Sequence, residues 1–200
     1  VAATKSRRIP WAAADAMRNI PQFWQFKEMI TSGEIGAVRT INIYLGSGNR
    51  RGELSGANCQ DLSVARMFAD DADVDWVVGW VQEDPWDDVD QGMGGYIRFE
   101  NEVECFINLN AESRRGMEII TSRAMLSTDF NTFKLFKLGD IDETPLLGDL
   151  AEVPGAFEEL GLNDRPYVDG WHFPGSRMIA GTQAIIDSID LSIDPKCTGQ

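Results

Sequence analysis

The sequence has only one histidine, His172, and only three cysteines, Cys59, Cys105 and Cys197, among its 200 residues. A single histidine excludes a metal site built from several histidines of this chain, and any Ser-His triad that does not use His172. The cysteines are far apart, odd in number and without a C-x-x-C pair, which argues against a disulfide framework or a zinc site. We therefore expect reduced thiols and a cytoplasmic protein.

Basic residues are also scarce, since 18 lysines and arginines stand against 32 acidic residues and give a formal net charge of −14. This charge opposes non-specific nucleic-acid binding, which depends on neutralising phosphates. No apolar run is long enough to span a bilayer, and no charged-then-apolar signal segment opens the chain. We therefore expect neither nucleic acid nor a membrane as a partner of this chain. The first residue is Val1, which predicts a processed or excised piece.

The chain lacks a phosphate-binding glycine turn. Gly92-x-Gly94-Gly95 precedes a predicted strand, whereas a dinucleotide-binding G-x-G-x-x-G opens a helix. The acidic run Glu83–Asp90 lacks the alternating ligands and central glycine of a calcium loop, so we predict a solvated connection between strands. Neither a nucleotide site nor a metal site is expected in this chain.

The patterning that is present predicts one α+β domain: a mostly antiparallel open sheet with helices on one face. Pro21 suits the first turn of a helix, Phe23 and Phe26 recur at helical spacing, and Gly33 ends it. Residues 9–18 fit either a strand or the start of a helix, and 139–170 read as a long loop. The predicted helices are 21–32, 58–69 and 174–193, and the predicted strands are 38–45, 74–82, 93–99, 102–109, 116–121, 124–128 and 132–138.

Two of these strands, 74–82 and 132–138, are apolar on both faces. Helices on one side of a sheet cover only one face, so the other face needs a different cover. The sequence therefore predicts self-association as a dimer or higher homo-oligomer through the open face of the sheet.

Several short motifs follow one another in an order typical of one protein family. They are Arg18-x-x-Pro21, Ser32-Gly33-Glu34-Ile35-Gly36-x-Val38, Gly56-x-Asn58-x-x-Asp61-Leu62, the hairpin Arg98–Val103, the segment Glu118–Leu126, and Thr198-Gly199. In this order and spacing they resemble the C-terminal domain of the Gfo/Idh/MocA oxidoreductases, the family of glucose–fructose oxidoreductase and inositol dehydrogenase. The resemblance extends over nearly the whole chain.

The resemblance implies two parts in the chain. Residues 1–19 would be the remnant of the last Rossmann strand and its linker, and residues 20–200 the substrate and oligomerisation domain, truncated at its C-terminus. The intact parent would be an NAD(P)-dependent dehydrogenase of a sugar or polyol, with NAD or NADP bound by the absent domain. This chain alone would be inactive and would bind no cofactor. The alternative is a non-catalytic carbohydrate-binding or scaffold protein that has the same domain.

The resemblance also implies a substrate site that contains Asn58 and Asp61, and we add His172 as a candidate for the same site. Asn58 stands where the family has a histidine, and Leu54 where some members have an aspartate. An amide cannot exchange a proton near neutral pH, so Asn58 can orient a hydroxyl but cannot be a general acid or base. His172 is the candidate to replace the missing histidine.

Each of these residues also has a structural interpretation. Asn58 suits the N-cap of the following helix, and Asp61 suits a hydrogen bond within its first turn. His172 lies among aromatic residues, where a lone histidine is more often a packed structural residue, and we favour that interpretation. Arg18 lies either at the domain boundary near the cofactor or in a surface salt bridge. Arg50 and Arg51 could bind an anionic substrate, but we favour the interpretation that they lie in a solvated loop.

Overall fold

A computed structural model of the chain describes residues 15, 17–45, 59–84, 87–108, 115–130, 132–138, 157–161, 182 and 185–191. Residues 185–190 are helical, within the helix predicted for 174–193. The other elements of this part of the chain are the helices α1 (Pro21–Thr31) and α2 (Cys59–Phe68) and the strands β1 (Val38–Leu45), β2 (Val74–Asp84), β3 (Asp87–Phe99), β4 (Glu104–Asn108), β5 (Arg115–Thr121), β6 (Ala124–Thr128), β7 (Phe133–Leu138) and β8 (Phe157–Gly161).

Helix α1 forms where the sequence predicts it. Ile20 is extended, with φ −70° and ψ 119°, and Pro21 occupies the first turn, where its missing N–H removes no helical hydrogen bond. Gly33 has φ +80°, a left-handed conformation that glycine adopts without a steric penalty and that ends the helix. Phe23 and Phe26 are fully buried, so the apolar side of α1 faces the protein interior.

The strands form one sheet of eight in the order β2-β3-β4-β1-β5-β6-β7-β8. Strand β1 lies in the middle, parallel to β4 and antiparallel to β5. The remaining neighbours pair antiparallel. The structure thus confirms the predicted α+β class with a mostly antiparallel sheet, to which the β1–β4 pair adds a parallel step.

The core lies between the two helices and one face of the central strands. Phe23 of α1 meets Phe68 of α2 and Phe133 of β7 edge to face, with ring centroids 5.6 and 5.4 Å apart. Such aromatic pairs stabilise a core by about 0.5–1.5 kcal/mol each beyond the area they bury. The helices therefore cover one face of the sheet, as predicted. The sheet residues beneath them that are almost fully buried are Ile41, Ile43, Met117, Ile119, Leu126 and Leu135.

The opposite face of the sheet is exposed at strands β2 to β4. Trp76, Tyr96 and Phe106 form a row across β2, β3 and β4, with successive ring centroids 4.8 Å apart. Trp76 is 46% exposed and Phe106 is 42% exposed. We call this surface the open face.

Two strand predictions need correction. We expected one face of residues 74–82 to pack on helices, but Val77, on the side away from Trp76, is 65% exposed, because β2 is the outermost strand of the sheet. We also expected the acidic run Glu83–Asp90 to connect strands, but residues 83–84 lie in β2, residues 87–90 lie in β3, and Asp84 pairs with Asp87. The ladder continues because backbone pairing does not depend on the charge of the side chains.

The predicted loop at 139–170 also contains a strand, β8, which pairs antiparallel with β7. A strand beside β7 satisfies backbone groups that would otherwise form a bare edge. The prediction for residues 9–18 falls outside the described residues except at Asp15, Met17 and Arg18.

Candidate functional site

The segment before α1 is a tight turn organised by Asp15. Its carboxylate accepts hydrogen bonds from the backbone N–H groups of Met17 and Arg18, at 3.0 and 3.2 Å. The Asn19 amide donates to the carbonyl of Asp15 at 2.7 Å, and the Trp24 indole N–H donates to the carbonyl of Arg18 at 2.7 Å. Aspartate suits this role because its short side chain reaches backbone groups two and three residues ahead. The turn fixes the direction in which Arg18 leaves the chain.

Arg18 is held by Asp71, which follows the end of α2. Its two terminal nitrogens donate to the two carboxylate oxygens at 3.0 and 2.7 Å, the bidentate geometry that suits an arginine–carboxylate pair. Asp71 is left-handed, with φ +53°, and its carbonyl accepts a further hydrogen bond from Arg66 at 3.2 Å. This geometry favours the salt-bridge interpretation of Arg18 over a place beside the cofactor.

Asp61 is the buried titratable group of the candidate site. It lies in the first turn of α2 and is only 1% exposed. Neither carboxylate oxygen has a hydrogen-bond partner in the part of the chain that the structure describes. The expected hydrogen bond within the first helical turn is therefore not formed among these residues. A buried carboxylate without such partners is costly, which marks this position as unusual for a purely structural residue.

Burial raises the pKa of Asp61 from 3.8 to about 6. The nearby positive charge of Arg115 lowers this pKa and the negative charge of Asp15 raises it, but both effects are smaller than that of burial. The carboxyl group therefore changes its protonation state close to neutral pH. A group with such a pKa can accept a hydrogen bond when charged and donate one when neutral, which suits recognition of a hydroxyl or exchange of its proton.

The position of Arg115 locates the site in the fold. Arg115 opens β5 and lies opposite Leu45, the last residue of β1, and its guanidinium is 5.7 Å from the ring centroid of Phe130. Asp61 thus lies toward the end of the sheet where β1 ends and β5 begins. Loops that connect strands to helices at one edge of a sheet commonly carry binding residues.

The other predicted site residues fall outside the described part of the chain. These are Asn58, which directly precedes α2 in the sequence, and His172, together with Leu54, Arg50 and Arg51. Their proximity to Asp61 therefore stays a prediction. Asp15 and Arg115 are the charged residues whose electrostatic effect reaches Asp61, and no pattern in the sequence connects these three positions.

A second polar group lies on the open face and was also missed. Glu118 of β5 accepts hydrogen bonds from the Asn42 amide and the Tyr44 hydroxyl of β1, at 3.2 and 3.0 Å. The alternation of β1 places Asn42 and Tyr44 on one face, but only the antiparallel register of β1 and β5 reveals their common partner. These bonds give the carboxylate neutral partners on the half-buried surface.

Among the described residues, no three histidine, cysteine, aspartate or glutamate side chains converge on a possible metal ion. Within the same residues, the helices are too short or too polar to cross a bilayer.

Comparison with known proteins identifies the architecture. No family model matches the sequence, and no curated protein is significantly similar to it. An oxidoreductase from Agrobacterium radiobacter, solved with NAD+, L-tartaric acid and magnesium, superimposes with a TM-score of 0.67 and 11% identity. That match covers 98% of this chain and 59% of the oxidoreductase.

Two sugar and polyol dehydrogenases give similar matches. UDP-N-acetylglucosamine 3-dehydrogenase from Acidithiobacillus ferrooxidans has a TM-score of 0.65 and 13% identity, over 98% of this chain and 58% of that enzyme. An inositol dehydrogenase homologue from Azotobacter vinelandii, solved with NADH and myo-inositol, has a TM-score of 0.65 and 12% identity. That match covers 94% of this chain and 56% of the homologue.

The chain has the fold of these oxidoreductases. This confirms the fold expected from the resemblance to the Gfo/Idh/MocA family. The chain spans somewhat more than half the length of each matched protein, and at this identity the likeness shows the fold alone.

Proposed function

We propose that residues 20–200 form the substrate and oligomerisation domain of an NAD(P)-dependent oxidoreductase that acts on a sugar or polyol. Residues 1–19 would connect this domain to a Rossmann domain. The observation that carries the proposal is the common fold, since proteins that bind NAD+ or NADH together with a hydroxy acid or a polyol superimpose on over nine-tenths of this chain. Free thiols at Cys59 and Cys105 agree with the reducing environment of the cytoplasm, which we propose as the compartment.

Asp61 is the residue of this chain that we assign to the substrate with structural support. Sugars and polyols offer several hydroxyl donors, and the two unpartnered oxygens of Asp61 are acceptors of the matching kind. Substrate binding would supply the hydrogen bonds that the buried carboxylate lacks. Asn58 would orient a neighbouring hydroxyl through its amide, and His172 would supply a second substrate contact.

We propose that the nicotinamide cofactor is bound by the Rossmann domain of the intact protein and not by this chain. Helix α1 starts with Pro21, and no glycine stands among residues 15–20 before it, so its start lacks the glycine turn that surrounds phosphate groups in a dinucleotide site. The charge of Arg18 is already paired with Asp71. In this proposal the cofactor would accept or donate the hydride on the Rossmann domain, and this chain alone would neither bind it nor catalyse the reaction.

A second candidate function is a non-catalytic carbohydrate-binding or scaffold protein with the same domain. The observation that favours it is Asn58 at the position where the family has a proton-exchanging histidine. In that case the site would still bind a polyhydroxylated ligand through Asp61, without hydride transfer.

The deciding experiment is an activity measurement on the full-length protein encoded by the gene that contains this chain. Reduction of NAD+ and NADP+ is followed by absorbance with a panel of sugars, polyols and hydroxy acids. We expect turnover with at least one of them, and kcat/KM reduced about 100-fold or more by Asp61→Ala, because the variant loses contacts to the reacting substrate. Asp73→Ala, at an exposed position, is the matched control and should retain activity.

Two other results would change the conclusion. Ligand binding without reduction of either nucleotide would establish the non-catalytic alternative. Equal activity of the wild type and Asp61→Ala would remove Asp61 from the site.

We also propose that the domain self-associates through the open face. Trp76 and Phe106 leave aromatic surface in water, at a cost of about 25 cal/mol per Å². A two-fold contact covers the same patch on both copies. Light scattering at micromolar concentration should give a mass of at least two chains, and a strictly monomeric mass would refute the proposal.

A further inference from the structure

Arg115, the first residue of β5, forms no ion pair with a carboxylate of the described chain. Its side chain is exposed and contacts the ring of Phe130 instead. The cations that do form ion pairs among the described residues are Arg18, Lys27, Arg98 and Lys137. Within that part of the chain, the N–H donors of Arg115 are therefore free for an anion that comes from solution.

The aromatic ring that contacts Arg115 is held in place by the turn between β6 and β7. Phe130 has φ +68°, a left-handed conformation that is strained for a bulky residue. The hydroxyl of Thr128 accepts a hydrogen bond from the Phe130 N–H at 2.8 Å and donates one to the carbonyl of Thr132 at 2.7 Å. The carboxylate of Asp129 accepts two more from Thr132, at 2.6 and 3.0 Å. These hydrogen bonds fix the strained turn and with it the position of the Phe130 ring.

The glycine after Arg115 lets β5 lie close to this turn. Gly116 has φ +150°, and a Cβ there would lie 2.0 Å from the carbonyl oxygen of Thr128, so the approach requires glycine. The guanidinium of Arg115 is 5.7 Å from the ring centroid of Phe130, within the ~6 Å of a cation–π contact. This contact orients the guanidinium before a ligand arrives, and such pre-organisation lowers the entropy that is lost on binding.

Asp61 is the second group of this site. It is 1% exposed, and neither of its oxygens has a hydrogen-bond partner in the described chain. Burial raises the pKa of Asp61 and the positive charge of Arg115 lowers it in part, so the two side chains lie within electrostatic reach of each other without being bonded. A ligand that offers an anionic group to Arg115 and a hydroxyl group to Asp61 would give both side chains the partners that they lack.

We propose that Arg115 determines the specificity of the substrate site, and that the substrate is an anionic sugar derivative whose carboxylate or phosphate group is bound by Arg115 and whose hydroxyl group is bound by Asp61. This inference rests on the proposed function and deepens it, because it narrows sugars and polyols to those with a negative charge. The formal charge of −14 does not prevent binding of such a substrate, because exposed charges are screened beyond about 8 Å at physiological salt.

Kinetics of the full-length protein with matched substrates test the assignment. Hexuronates and hexonates are compared with the neutral hexoses and hexitols of the same configuration, and hexose 6-phosphates separate recognition of phosphate from that of carboxylate. Arg115→Gln removes the charge, whereas Arg115→Lys keeps it but loses the two parallel donors of a guanidinium. Arg123→Gln is the matched control, because Arg123 is an exposed arginine in the turn at the other end of β5. Both positions are exposed, so the variants should fold.

We expect at least one anionic compound to have a higher kcat/KM than its neutral counterpart. Arg115→Gln should lower kcat/KM for that compound by about 10- to 100-fold, mainly through a higher KM, because it loses hydrogen bonds to a charged group. Arg115→Lys should lie between Arg115→Gln and the wild type, and Arg123→Gln should retain the wild-type preference. The compound with the higher kcat/KM, acid or phosphate, identifies the group that Arg115 binds.

Turnover of neutral compounds alone, or the same kcat/KM for an anionic compound in the wild type and Arg115→Gln, overturns this inference and leaves the proposed function standing. An equal loss in Arg123→Gln also overturns it, because the effect is then one of overall charge. If neither nucleotide is reduced, the proposed enzyme activity fails separately, and dissociation constants from calorimetric titration with the same compounds decide. Tighter binding of an anion by the wild type than by Arg115→Gln then supports the role of Arg115, and equal binding overturns it.

Discussion

Replacing Asp61 with asparagine should change how the stability of the chain depends on pH. The amide side chain has nearly the same shape as the carboxylate but stays neutral at every pH. Because Asp61 is 1% exposed and has a pKa raised from 3.8 to about 6, the folded protein binds its proton more tightly than the unfolded chain does. The stability that this proton provides is fully present below about pH 4 and is lost as the pH rises through about 6.

The magnitude follows from the pKa difference. Each pKa unit corresponds to about 1.4 kcal/mol, so the shift of Asp61 corresponds to about 3 kcal/mol between the two limits. The full change is not reached at pH 4, because Asp61 is still largely ionised in the unfolded chain at that pH. We therefore expect the free energy of unfolding of Asp61→Asn, relative to the wild type, to rise by about 2–3 kcal/mol between pH 4 and pH 8.

Urea denaturation at several pH values measures this difference directly. The comparison depends on the change with pH and not on the absolute stability of the variant, because a buried amide without partners carries a cost of its own that is independent of pH. Asp73→Asn, at an exposed position, is the control, and its free energy of unfolding should change with pH as that of the wild type does. If the free energies of unfolding of Asp61→Asn and the wild type differ by the same amount from pH 4 to pH 8, the reasoning is refuted and the Asp61 carboxylate is well solvated or paired.

Two further predictions concern other buried positions. Gly116→Ala should lower the free energy of unfolding, measured by urea denaturation, by at least ~2 kcal/mol. Gly116 has φ +150°, and an added Cβ would lie 2.0 Å from the carbonyl oxygen of Thr128, a backbone atom that cannot move aside. Unchanged stability would contradict the close approach of β5 and β6. Alkylation of the native chain should modify the exposed Cys59 but not Cys105, as peptide mass spectrometry can show. Cys105 is buried, and burial raises the pKa of its thiol to about 12, which keeps it unreactive. Modification of both cysteines at similar rates without denaturant would show that β4 is not covered as described.

The elements that the sequence predicts well are those with local signals. Helix α1 has a proline start, an apolar side at helical spacing and a glycine end, all within residues 20–33. The hairpin between β3 and β4 has a turn at Glu100-Asn101, and the backbone of Phe99 bonds to that of Val103 at 2.9 Å. Interactions between near neighbours determine such elements, so the order of residues is enough to find them.

The predictions failed where the deciding partner is distant in the sequence. Strand β8 exists because β7 offers it a backbone edge, whereas its own surroundings are rich in turn residues. The burial of Asp61 depends on how α2 lies against the sheet, and its pKa depends also on the charges of Asp15 and Arg115. An aspartate in the first turn of a helix is usually an exposed residue that the helix dipole favours, so its sequence context gives no sign of a raised pKa.

The central place of β1 has a consequence for how the chain folds. Strand β1 pairs with β4 on one side and with β5 on the other, although both are made long after it during synthesis. The two groups β2-β3-β4 and β5-β6-β7 consist of sequential antiparallel neighbours, so each can form early from local contacts. Insertion of β1 between them is the non-local event that joins the two halves into one cooperative sheet. Until then β4 and β5 each present an unpaired edge, and a nascent chain at this stage would be vulnerable to pairing with another.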